Sequence, residues 1–196
     1  MSIAASAITP GDELADTVAA LLEQLVENPD RDGLLDTPSR VAESLRYLTE
    51  GYAANPSTIV GDALFAVDGY DDMVVVKDIA FFSLCEHHLL PFFGRVHIGY
   101  VPEGRVVGLS KLPRLVDAYS HRLQLQERMT REIAEAINNV VTPRGVGVVV
   151  EGRHLCVEMR GVEKENSQTV TSCMLGVFRS DQRTRTEFLS HIHQSH

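Results

Sequence analysis

Three cysteines in 196 residues are too few and too scattered for a disulfide scaffold. No apolar run approaches the roughly 20 residues that a membrane helix needs. The opening, MSIAASAITPGDE, has neither the basic start nor the continuous apolar stretch of a secretory signal, so the expected location is cytoplasmic, without a membrane partner. Basic charge is also scarce: 18 Lys and Arg stand against 27 Asp and Glu, a formal net charge of −9. That argues against nucleic acid as a partner, which needs a basic face, but not against a small anion held by a local basic cluster. Internal repeats and low-complexity segments are missing. What is there, 44% hydrophobic and 23% charged residues, is ordinary globular composition. The length suits one domain with an N-terminal appendage.

Leu14, Val18, Leu21, Leu22 and Leu25 recur at helical spacing and predict a helix over 12–28, with acids in its first turn. NPDRDGLLDTP reads as a loop. Thr37-Pro38 predicts a cap followed by proline at the first helical position, in a helix that runs to about Glu50 and stops at Gly51. This pair forms an N-terminal helical region, 1–60, ahead of a domain over 61–196. There, β-branched and aromatic residues predict strands at 73–84 and 93–101. Pro102-Glu103-Gly104 turns the chain, and 105–108 reads as the return of a hairpin. Ser110 is expected to cap a helix to about Arg122, with Pro113 in its first turn. A second amphipathic helix covers 127–141. Strands follow at 146–160 and 169–179, and a short helix at 184–192. The order predicts an α+β fold with a largely antiparallel sheet.

The stretch SLCEHHLLPF sets Cys85, Glu86, His87 and His88 inside apolar sequence. Cys85-x-x-His88 has the spacing of two ligands meeting one ion across a tight turn. His154-x-Cys156 supplies a second Cys/His pair. If the strand continues to 160, then His154, Cys156, Glu158 and Arg160 share one face. Cys85, Cys156 and one histidine would leave a fourth position open on zinc. Spacing alone does not choose between His87, His88 and His154, and a closed four-ligand structural site also fits. Ser110, Lys111 and Arg114 gather at a helix start where an anion is favoured, and Arg160 could add a bidentate contact. Gln126-Glu127 could accept the N–H edge of a base such as guanine. The plainer readings are a half-buried histidine pair, a solvated basic helix face and a favourable acid at a helix start. Two independent Cys/His pairs weigh towards metal.

CEHHLLPFFGRVHIGYVP, VVGLSKLPRLVDAYSHRLQLQERMT, HLCVEMRGV, TSCMLGVFR and TPSRVAESL together resemble GTP cyclohydrolase I, the zinc-dependent type I enzyme. The likeness runs with little interruption from about Val75 to Phe188. The resemblance implies zinc, one ion per subunit, held by Cys85, His88 and Cys156, with His87 and His154 as acid/base groups. It implies Glu127 at the guanine edge with Gln126 beside it, and Ser110, Lys111, Arg114 and Arg160 around the triphosphate and ribose. Arg40 would reach into a neighbouring subunit's site. The implied fold is the tunnelling fold, an antiparallel sheet with helices on one face, whose strands join across subunits into a barrel. The implied assembly is a homodecamer of two pentameric rings. The implied reaction opens the imidazole ring of GTP, releases formate, rearranges the ribose and closes it to 7,8-dihydroneopterin triphosphate, the start of folate or pterin synthesis. Two alternatives remain: a related tunnelling-fold enzyme acting on another pterin or deazapurine, and a non-catalytic zinc-stabilised nucleotide-binding assembly. Arg153, Glu158 and Cys173 carry no expected role.

Overall fold

The computed structural model describes residues 12–25 and 27–193. Residues 1–11, most of the MSIAASAITPGDE stretch, lie outside them, as do residue 26 of the expected first helix and residues 194–196. The chain divides into two compact units, one ending at Thr49 and one beginning at Glu50. In the first, α1 (Glu13–Gln24) packs against α2 (Thr37–Thr49). Asp12 caps α1 by accepting from the backbone N–H groups of Leu14 and Ala15, at 3.1 and 3.2 Å. The same carboxylate is paired to Arg46 of α2. Ala15, Val18 and Ala42 are buried, whereas Leu21 and Leu25 of the expected stripe are exposed.

The second unit opens with a 3-10 turn, Glu50–Ala53, and a short α3, Pro56–Val60. Its main sheet contains β2 (Val74–Cys85), β3 (Pro91–Val101), β5 (Leu123–Gln124), β6 (Gly145–His154) and β7 (Thr169–Gly176). They lie in the order β5-β2-β3-β6-β7, with only the short β5–β2 contact parallel. The remaining strands, β1 (Leu64–Ala66) and β4 (Arg105–Val107), form a separate antiparallel pair. The hairpin return expected at 105–108 therefore does not lie on β3. Both edges of β3 are already taken, by β2 and β6, so β4 is turned away and pairs with β1. The buried Tyr100 hydroxyl secures it by accepting from the Val107 N–H at 3.2 Å.

On one face of the sheet lie α4 (Lys111–Ser120) and α5 (Gln126–Val141). Their Leu112, Leu115, Met129, Ile133 and Ile137 pack with Phe81, Ile98, Tyr100, Val146, Val148 and Val150 in the main core. The alternate positions of the strands face the other way. There Val101 and Val149 meet Phe178 and Phe188, from α7 (Val177–Ser180) and α8 (Gln182–His193). Gly99 and Gly147 stand opposite each other in the β3–β6 ladder. A methyl group on either would come within 2.7 Å of these rings, so two side chains are omitted where two aromatic rings must settle. Helices thus lie on both faces, not one.

Strand β6 ends at His154 instead of continuing to Arg160. Its pairing with β3 runs out at Phe92, one residue from the start of that strand, and its pairing with β7 runs out at Gly152. With no ladder partner beyond, the chain folds into a single helical turn, α6 (Leu155–Glu158). The expectation that His154, Cys156, Glu158 and Arg160 share a strand face fails for this reason.

Candidate active site

The β2–β3 connection is a tight turn tied to Cys85. The Cys85 N–H donates to Leu90 O at 2.9 Å, and the N–H groups of His88 and Leu89 both donate back to Cys85 O, at 3.2 and 2.8 Å. Leu89 takes a left-handed conformation, φ 54°, to close it. The turn brings the His88 ring back to the thiol, with Nδ1 3.9 Å from Cys85 Sγ. The β3–β6 register sets His154 opposite Phe92, so the end of β6 arrives beside the same turn, and α6 then presents Cys156. The ligand atoms of Cys85, His88 and Cys156 lie within 4.8 Å of one another. Both thiols are buried and the imidazole is exposed.

Two thiols and an imidazole converging this closely suit a thiophilic divalent cation, with a fourth tetrahedral position to spare. Burial, and then the neighbouring Cys85, push the Cys156 thiol up from its usual range. A bound cation would reverse both effects and hold the sulfurs as thiolates. Arg160, exposed, brings Nη1 to 3.3 Å from His88 Nε2. The His87 ring lies edge-on to His88, with centroids 6.1 Å apart, and is exposed.

His154, the last residue of β6, is half-buried. Its ring stacks on Phe92 with centroids 4.6 Å apart and planes 3° from parallel. Burial lowers its pKa, and the charges of Glu127 and Glu158 oppose that shift. Its Nε2 is 2.8 Å from Gln126 Oε1. Gln126, at the start of α5, is 2% exposed. Its Nε2 is surrounded by Val150 O, Thr169 O and Thr171 Oγ1 at 3.1, 2.9 and 3.1 Å. Both amide hydrogens are directed at these protein acceptors. Glu127, the next residue, is exposed.

Three residues of the anion motif, Ser110, Lys111 and Arg114, lie at the start of α4. Ser110 sits at the N-cap position of α4, but its hydroxyl makes no capping bond, which corrects the expected cap. Lys111 is half-buried in the first turn. Arg114 is exposed and lines a pocket of about 410 Å³ with Glu50, Asp117 and Ile59. Arg40 lies on α2 and pairs with Asp36 at 2.6 Å.

Two ion pairs supporting the cluster were not evident from the sequence. Arg128 forks onto Glu86, at 2.6 and 3.0 Å. Arg153 forks onto Glu158, whose side chain is only 7% exposed, at 2.6 and 2.9 Å. Each joins a segment carrying a candidate ligand to an adjoining element. Their signal was an acid with no stated partner inside the first Cys/His motif, Glu86, and two residues after the second, Glu158.

A sequence model of the family described as GTP cyclohydrolase I matches residues 14–193. GTP cyclohydrolase 1 of Chlorobium chlorochromatii is 55% identical over 178 residues, 91% of this chain and 79% of that protein. The protein of the same name from Homo sapiens is 56% identical over 179 residues, 91% of this chain and 71% of that protein. The solved structure of apo archaeosine synthase QueF-Like aligns with 53% of this chain and 93% of that chain, at 22% identity and a TM-score of 0.43.

Proposed function

This chain belongs to the GTP cyclohydrolase I family, and on that premise we propose that it hydrolyses GTP to formate and 7,8-dihydroneopterin triphosphate. The observation that carries the reading is the convergence of Cys85, His88 and Cys156 with two further imidazoles, His87 and His154, on the adjoining backbone. That donor set fits zinc, one ion per subunit. Zinc bound there would supply a Lewis acid and a water of lowered pKa.

The chain's own residues do the rest. His87 and His154 carry protons as the imidazole ring of GTP opens and formate leaves, since histidine exchanges protons readily near neutral pH. Glu127 accepts the N–H edge of guanine. Lys111, Arg114, Arg160 and the Ser110 hydroxyl hold the triphosphate and ribose, with α4 offering backbone N–H groups to the anion. Arg40 serves a neighbouring subunit's site in a homodecamer of two pentameric rings, whose joined strands close the sheet edges into a barrel. The product enters folate or pterin synthesis in the cytoplasm.

The test is to follow formate and the pterin chromophore after adding GTP to wild type and His87→Ala. Turnover by wild type is expected, with the variant keeping its metal and assembly state but losing product. Metal-loaded, assembled wild type that releases no formate would overturn the reading. It would favour the related pterin or deazapurine enzyme or the non-catalytic assembly.

A further inference from the structure

We infer that Gln126 is a positioning residue that fixes the tautomer of His154, so that His154 takes up and returns its proton through Nδ1 alone. A glutamine side chain has one end that only donates and one that only accepts. Around Gln126 Nε2 stand the carbonyls of Val150 and Thr169, which can only accept. The third neighbour, Thr171 Oγ1, is committed too. Thr130 Oγ1 donates to Gln126 O at 2.7 Å, so its oxygen takes the Thr171 hydroxyl hydrogen at 2.7 Å, leaving the Thr171 oxygen to accept from Gln126. The NH2 group must therefore face these three atoms, and Oε1 must face His154.

An acceptor 2.8 Å from His154 Nε2 requires a hydrogen on that nitrogen. The neutral ring is then the Nε2–H tautomer, with its lone pair on Nδ1. The Phe92 ring, parallel at 4.6 Å, holds the plane in which this bond is made. Gly152 leaves the space for it, because a methyl group there would overlap Gln126 Oε1. The bond survives protonation, since the imidazolium also carries a hydrogen on Nε2. A neutral amide holds the ring through both states without adding the electrostatic grip on the cation that a carboxylate would. His154 thus has one working nitrogen, and its other is held permanently by the protein.

The role of that proton rests on the reading of the function above, but the tautomer does not, and the experiment separates them. On metal-loaded, assembled, substrate-free protein labelled with 15N-histidine, the His154 signals are identified by their loss in His154→Ala. The expected spectrum at a pH where the ring is neutral has a hydrogen-bearing Nε2 and a bare Nδ1. In Gln126→Met, which keeps the length and removes the amide, the two tautomers should mix. The kcat with GTP should fall by about tenfold or more, with KM within about twofold. A wild-type spectrum with the hydrogen on Nδ1 would overturn the inference. So would a Gln126→Met spectrum like that of wild type, or a loss confined to KM, which would make Gln126 a substrate contact. If the variant fails to fold, the wild-type spectrum decides alone. The expected tautomer in a protein that makes no product from GTP would sustain the positioning role and sink the functional reading.

Discussion

Arg128 holds both carboxylate oxygens of Glu86, Nη1 on Oε2 at 2.6 Å and Nη2 on Oε1 at 3.0 Å, and so fastens the turn bearing Cys85 and His88 to the first turns of α5. The pair is partly solvated, so its value to global stability is small. Its value to the geometry of the turn is larger, because a forked bond fixes orientation as well as distance. Arg128→Ala should leave the thermal midpoint nearly unchanged while weakening metal retention by about tenfold. Competition with a chromogenic chelator measures this. Arg128→Lys should restore only part of the loss, since an ammonium cannot fork. Equal metal affinity in all three proteins would show that the turn needs no such anchor.

Metal removal should behave differently from loss of a ligand. Chelation is expected to abolish formate release, and added zinc to restore it. Cys156→Ser should reduce bound metal to background and should not recover with zinc at stoichiometric concentration. Metal content by atomic spectroscopy, read beside product formation, checks both. Full activity in the chelated protein would remove zinc from the function.

The first unit carries a pH dependence of its own. The Arg46 hydrogen bond, followed by the backbone N–H of Ala15, lowers the Asp12 carboxyl from 3.8 to about 2. The folded pKa is below the unfolded one, so this contribution is present above about pH 3.8 and is lost as pH falls towards 2. Hydrogen exchange in α1, corrected for intrinsic rates, should show wild type better protected than Asp12→Ala at pH 6. The difference should shrink between pH 4 and 2. Asp12→Asn keeps an N-cap acceptor but loses the charge, so it should fall between the two. A gap that does not narrow with acid would assign the effect to the cap alone.

The small core under α8 should be separable from the site. Phe188 is fully buried between Gly99, Gly147 and Phe178. Phe188→Ala is expected to cost about 3–5 kcal/mol in urea unfolding, from lost burial and the cavity left behind. Bound metal should stay at the wild-type level while the protein remains folded. Loss of metal under native conditions would mean that this core also supports the ligand turn.

Much of this was legible in residue spacing, and the exceptions have physical causes. Apolar periodicity located α4, α5, β2 and β3 to within a residue or two, because each buries a continuous face. It overran β6, since a strand ends where its partners end, and those partners lie about forty to sixty residues before it and shortly after it in sequence. It misassigned β4 for the same reason: which edge is free depends on the whole sheet. The donor triplet could be suspected from Cys85-x-x-His88 and His154-x-Cys156, but spacing alone did not choose His88; the family resemblance did, and the turn at Leu89 is what brings its ring back to the thiol. Gln126 was visible only as a polar residue beside Glu127. Its burial depends on Thr169 and Thr171, brought alongside by β7.

Cys85 and Cys156 are separated by about seventy residues, and the segment between them supplies β3, α4, α5 and β6. During synthesis, Cys85 and His88 emerge together as half of a binding site, long before Cys156 exists. A two-donor half-site grips an ion loosely, so tight capture must wait until β6 has joined β3 and closed that long loop. An ion bound there would therefore report completed folding: a chain that held it firmly would already have assembled its central sheet.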